Sequence, residues 1–206
     1  MSFDRLPINW FDILLVVWLV MGIFHGRKRG MSAEVFTFLQ WVAIVVVCGV
    51  GYEPAGRWFS DVSQTFGLLL SYVLAYLVIA GLVSLVFVFI KRSLGGKIVG
   101  SDAFGKGEYY LGMPAGFFRY LCVMLFFLAL LNARFYSQKE IEADLRYKED
   151  VYGKDYFPGL HTLQAGVFEK SFTGRYIREY LSFLLIKQTP PKGGKQFKQK
   201  EWQGPT

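Results

Sequence analysis

The stretch FGLLLSYVLAYLVIAGLVSLVFVFI, Phe66 to Ile90, contains no Lys, Arg, Asp or Glu. At a rise of about 1.5 Å per residue, a helix of that length crosses a hydrocarbon core of roughly 30 Å and leaves room to tilt. Helices buried inside water-soluble proteins rarely run so far without a polar stripe. Three further apolar stretches flank this one, at residues 8–25, 31–50 and 111–131. The expected fold class is therefore all-α: a polytopic membrane protein with four transmembrane helices.

Composition agrees with that reading. Hydrophobic residues make up 53% of the chain, aromatics 18% and charged residues 19%, against about a quarter charged in ordinary soluble domains. The net charge is +7, but the cations sit in short clusters beside apolar segments, the pattern of juxtamembrane anchors. No basic groove with interleaved aromatics and no zinc-finger spacing points to nucleic acid. Cys48 and Cys122 both fall inside apolar segments, so no disulfide framework or metal spacing follows from them. The first apolar run is followed, not preceded, by its main positive cluster, which is not the pattern of a cleaved signal peptide.

The connections set the expected orientation. HGRKRG, with Arg27, Lys28, Arg29 and Gly30, is a tight basic turn between the first two spans. The third connection carries Lys91, Arg92, Lys97 and Lys106, whereas the second carries Arg57 and the N-terminus Arg5. The positive-inside rule then places the first and third connections in the cytoplasm and both termini outside. Gly51 to Thr65, with Pro54, Gly56 and Trp58, reads as a loop. Residues 1–132 form the membrane domain and 133–187 a helical tail, with an amphipathic helix at about 172–186 whose apolar face includes Phe172, Tyr176, Ile177, Tyr180 and Leu181. Residues 188–206, rich in Pro, Gly, Lys and Gln, read as a disordered basic tail.

Ionisable groups at membrane depth are the first candidates for function, since burying them is expensive. Glu34 lies about one turn into the second span and Arg119 about two turns into the fourth, from the same side. Their depths differ by under about 10 Å, so an ion pair joining these helices is one expectation with a geometric basis. The alternative is that each reaches headgroups or water separately. Asp12, near the outer end of the first span, reads as a carboxylate bonded to backbone N–H groups, or else as an ion-carrying group. Asn9 can cap that helix start, and Ser32 the start of the second span. Gly112 and Gly116 have the four-residue spacing that lets another helix backbone approach closely. His25 and His161 lack matching ligands, so no metal and no cofactor is expected. No Walker loop, nucleophile elbow or redox cysteine pair is present, and nothing reads as an enzyme.

These elements together form a pattern. NWFDI near the N-terminus, the R-x-R-G ending of HGRKRG, Glu34 four residues past Gly30, Trp41 followed by Ala43, then Gly100, Asp102, Leu111-Gly112, Gly116 and Arg119 resemble the colicin V production protein (CvpA) family. The resemblance covers about Asn9 to Leu131. It implies a bacterial inner-membrane protein with four spans, connected with colicin V production or export and with envelope stress resistance, and with no established biochemical activity. It also implies that in related proteins the same unit anchors a protease outside the cytoplasm. The loop between Asp102 and Leu111 is longer here than the family pattern, and Tyr120 stands where a Gly is usual.

Two functional classes follow. The first is a non-catalytic membrane protein supporting toxin export or envelope homeostasis by binding envelope partners, as an oligomer through glycine-lined faces. The second is a transporter or channel component with Asp12, Glu34 and Arg119 along its path. Beyond the lipid bilayer, no partner is named by the sequence.

Overall fold

The computed structural model describes residues 9–62, 67–93, 107–137, 140–143, 145–146 and 159–189. Its first helix, α1 (Trp10–Arg29), begins in a capping box. The Asn9 side chain accepts from the Trp10 N–H, and Asp12 accepts from the Asn9 N–H at 2.9 Å. That reciprocal arrangement satisfies N–H groups the first turn cannot pair itself. α1 ends at Gly30, whose φ of 78° is open to glycine and strained for other residues. A single residue thus turns the chain into α2 (Met31–Val62). α3 (Leu68–Ser93) and α4 (Glu108–Asn132) complete the bundle.

All four helices are long and apolar enough to cross a membrane. In the most apolar window of α3 only 17% of residues are buried within the protein. Ile13, Val16, Val17, Leu82, Val86 and Phe89 stand more than half exposed. Water would not tolerate such a surface, whereas lipid tails solvate it. The protein is an all-α polytopic membrane protein.

The helices pack α1 on α4, α4 on α2 and α2 on α3. Their spatial order is therefore 1-4-2-3, although α1 and α2 are joined by one residue. The core is aromatic where α2, α3 and α4 meet. Tyr52 and Tyr72 stand edge-on at 5.6 Å, and Phe126 lies 5.3 Å from Tyr76 and 5.9 Å from Trp41.

The expected loop at Gly51 to Thr65 is instead helical as far as Val62, with Pro54 inside α2. Packing outweighs the local breakers. A side chain at Gly56 would overlap the Tyr72 ring, and one at Gly51 would press on Ile79, so both glycines bring α3 close. At 32 residues α2 is about 48 Å long and outreaches the bilayer core. The lipid-free end carries Glu53, paired with Arg57 and, at 2.7 Å, with Lys187. Pro114 also lies inside its helix, since α4 begins at Glu108.

The tail folds back on the end of the bundle opposite Gly30. α5 (Leu160–Phe168) and α6 (Phe172–Tyr180) are followed by a 3-10 turn, Ser182–Leu184. The expected helix at 172–186 is thus shorter than read, and Leu185 and Ile186 are buried as extended chain. Asn132 Nδ2 donates to the Ile186 carbonyl at 2.9 Å, and Gln164 Nε2 to the carbonyls of Leu131 and Arg134. Gln188 and Thr189, expected to begin the disordered tail, are held. Thr189 bridges Arg134, with the Thr189 N–H on the Ala133 carbonyl at 3.0 Å. The remainder of that segment, residues 147–158 and the glycine-rich connection at 94–106 lie outside the described residues.

Candidate functional site

Glu34 sits in the first turn of α2 and Arg119 faces it from α4. Arg119 Nη1 is 3.0 Å from Glu34 Oε2, with the carboxylate fully buried and the guanidinium nearly so. Neither Glu34 oxygen makes an aligned hydrogen bond, so the contact is chiefly Coulombic. In such a setting each charge is costly without the other. The guanidinium also lies 5.0 Å above the Tyr120 ring. Tyr120 in turn packs on α1, its ring 5.1 Å from Trp18, whose Nε1 donates to the Tyr120 carbonyl at 3.1 Å. The pair is therefore linked to three helices through a cation–π contact and one half-buried ring.

Asp12 lies at the other end of the bundle and works as a double cap. Besides the Asn9 N–H, its carboxylate accepts from Ser171 Oγ at 2.8 Å, from the Thr173 N–H at 3.0 Å and from the Phe172 N–H at 3.3 Å. Ser171 Oγ itself accepts from the Gly174 N–H at 3.0 Å. One buried anion thus serves the N-termini of α1 and α6, where helix dipoles favour negative charge. Asn9 Nδ2 adds a 2.7 Å bond to the Gly166 carbonyl of α5. Farther out, the hydrogen bond from Lys187 to Glu53 holds the lysine ammonium above its ordinary pKa.

Gly112 and Gly116 face Gly26 and Gly22 of α1. A side chain at Gly26 or Gly112 would overlap the carbonyl oxygen of the other, and one at Gly116 would overlap the Gly22 carbonyl. This corrects the expectation that the Gly112–Gly116 face serves an oligomer: α1 already occupies it. The start of α2 is closed across the bundle, where Glu108 Oε1 accepts from the Ser32 N–H at 3.2 Å. Arg27, Lys28 and Arg29 are exposed. Arg27 and Lys28 line a hollow of about 540 Å³ with Phe24, Tyr109 and Tyr110, at the seam of α1 and α4.

The structure thus joins Glu34 to Arg119, keeps Asp12 at the opposite end, and sets the basic turn next to the pair, with the Glu34 N–H on the Gly30 carbonyl at 3.2 Å. Among the described residues no group of three His, Cys, Asp or Glu stands together to hold a metal. The sequence reading missed Gly22, Gly26 and Ser171, and met Tyr120 only as a departure from the family pattern. Gly22 and Gly26 carry the same four-residue spacing as Gly112 and Gly116, a signal present but unused. Ser171 carries the helix-start signal of a serine before an amphipathic run. For Tyr120 the signals are its place beside Arg119 and its departure from the usual Gly, and neither names its contacts.

Comparison with known proteins adds one positive finding. The family model described as colicin V production protein matches residues 11–145. No curated protein and no solved structure matches the chain. The matched region holds all four helices, the Glu34–Arg119 pair and Asp12. The chain belongs to the colicin V production protein family.

Proposed function

We propose that this protein is a non-catalytic platform in the bacterial cytoplasmic membrane. It supports colicin V production or export, or envelope homeostasis, by presenting its docked tail to other envelope proteins. The cation-rich turn at Arg27–Arg29 faces the cytoplasm and the tail lies outside, as the distribution of charges favours. The observation that carries the reading is the use made of the candidate charges. Asp12 holds the tail helices, while Glu34 and Arg119 hold each other. Charges spent on such ties build a rigid scaffold. Tail elements then frame a hollow of about 710 Å³ lined in part by Tyr136, His161, Phe168, Arg178 and Gln188, a concave surface of mixed polarity suited to a partner.

A second reading is kept by one observation. Glu34 is fully buried with no aligned hydrogen bond, and such a carboxylate is the natural proton or cation carrier of a channel component. Purified protein in liposomes separates the two. The scaffold reading expects no proton or cation flux above empty vesicles, and its in-cell counterpart is loss of colicin V secretion or of envelope stress resistance when Asp12→Ala frees the tail. Flux that disappears in Glu34→Gln would replace the scaffold with a conduit.

A further inference from the structure

The tail helix α6 carries more apolar arc than the bundle covers. At about 100° per residue, Phe172, Tyr176 and Tyr180 fall within roughly 80° of one another. Ile177, Leu181 and Gly174 continue the arc over roughly the next 120°. These are the residues turned to the protein: Ile177 is buried, Leu181 packs on the core, and a side chain at Gly174 would overlap the Val167 carbonyl of α5. Arg178, Arg175 and Glu179 share the remaining, polar arc and are exposed. The three aromatics, followed by Phe183 in the 3-10 turn, are each more than half exposed. They form one ridge, with Tyr176 stacked on Tyr180 at 4.4 Å and Phe172 6.2 Å from Tyr176.

Three helices fix the depth of this ridge. Asp12, which caps α6, lies about 27 Å along α1 from the Gly30 turn. Gly49, against which Leu184 packs, lies about 28 Å along α2 from the same turn. Asn132, which holds Ile186, is about 36 Å from the start of α4. With a hydrocarbon core of roughly 30 Å, all three attachments fall at the far boundary of the bilayer. A Tyr- and Phe-rich ridge at that level, flanked by Arg175, has the composition of an interfacial helix.

We infer that α6 is a membrane-interface helix whose aromatic ridge, Phe172, Tyr176, Tyr180 and Phe183, is covered by phospholipid. Half its apolar arc is seated on the bundle and half in the boundary between headgroups and acyl chains. Arg175 and Glu179 flank the ridge at the level of the headgroups, and Arg178, which lies opposite the ridge and donates to Gln188 Oε1, faces away from the lipid. The occupant is lipid and not a second protein, because the uncovered arc lies at the depth where aromatic belts form.

Spin labels on the full chain test this. Single cysteines are placed at Tyr176, Tyr180 and Phe183 on the ridge and at Arg175 and Arg178 on the polar arc, in a Cys48→Ala, Cys122→Ala background. The labelled proteins are reconstituted into phosphatidylethanolamine–phosphatidylglycerol vesicles. Collision rates are read with oxygen, which concentrates in lipid, and with a nickel chelate, which stays in water. Ridge labels are expected to favour oxygen over nickel by severalfold and polar-arc labels the reverse. Ridge labels open to nickel would overturn the inference by placing the ridge in water. Ridge labels shielded from both, with spin–spin broadening that vanishes on dilution with unlabelled protein, would give the surface to a second copy instead. Unchanged elution and helical content for each labelled variant exclude misfolding, and Phe172→Cys is a further ridge position should one variant fail that control.

Discussion

At the scale of single residues, the membrane charges act as fasteners, and Asp12 is the clearest case. Its two oxygens accept four hydrogen bonds, three of them from the Ser171–Thr173 segment. Asp12→Asn keeps one acceptor but turns an N–H₂ toward the N–H groups of Asn9 and Phe172. It is expected to loosen the tail by about 2–3 kcal/mol, seen as faster proteolysis or hydrogen exchange at α6 with α2–α4 unchanged. Equal protection in wild type and variant would refute the double cap. For Glu34 and Arg119, each single change to Gln strands the other charge and is expected to cost about 3 kcal/mol or more in a detergent unfolding titration. The double change should recover part of that loss, so coupling of at least about 1 kcal/mol is the expected reading. Additive losses would mean the 3.0 Å contact has no energetic weight.

At the scale of elements, the seam between α1 and α4 is a backbone-to-backbone contact. Gly26→Ala or Gly112→Ala drives a methyl into the opposing carbonyl and should destabilise the bundle by about 1–3 kcal/mol. Gly81→Ala on α3, where an added carbon meets nothing within 4 Å, should be neutral or slightly stabilising in the same titration. Gains at all three positions, as helix propensity alone would give, would refute close approach as the reason for Gly26 and Gly112. Element existence was legible in the sequence because a bilayer filters for length and apolarity, and both signals are local. The Glu34–Arg119 contact was legible as one of two readings, since depth along a helix follows from residue count but the facing of the two side chains does not. The end of α2 was not: Pro54, Gly51 and Gly56 are loop formers by propensity, and only the fit of Tyr72 and Ile79 into the glycine gaps keeps them helical. Nor was the partner of Gly112 and Gly116 legible, because the spacing says that a backbone comes close without saying whose. The grip of Asp12 on Ser171 joins residues far apart in the chain, beyond the reach of any local pattern.

At the scale of the whole molecule, four helices and a folded-back tail make one body with a basic end and an aromatic end. Removing the tail after Asn132 should leave the spans inserted, since their apolar surfaces face lipid, while uncovering Gly49 and the caps at Asn9 and Asp12. Such a truncated chain is expected to keep its helical content in vesicles and lose colicin V or envelope-stress function in cells. Retained function would assign the activity to the bundle itself. The 1-4-2-3 order bears on biogenesis. α1 and α2 leave the ribosome first, yet the slot between them is filled by the last spanning helix made. At about 5–20 residues per second, Glu34 and the Gly22–Gly26 face wait on the order of ten seconds for Arg119, Gly112 and Gly116 to arrive. For that interval the nascent hairpin is an incomplete lock with its key still being translated, and whatever escorts or destroys unfinished membrane chains has that window in which to act.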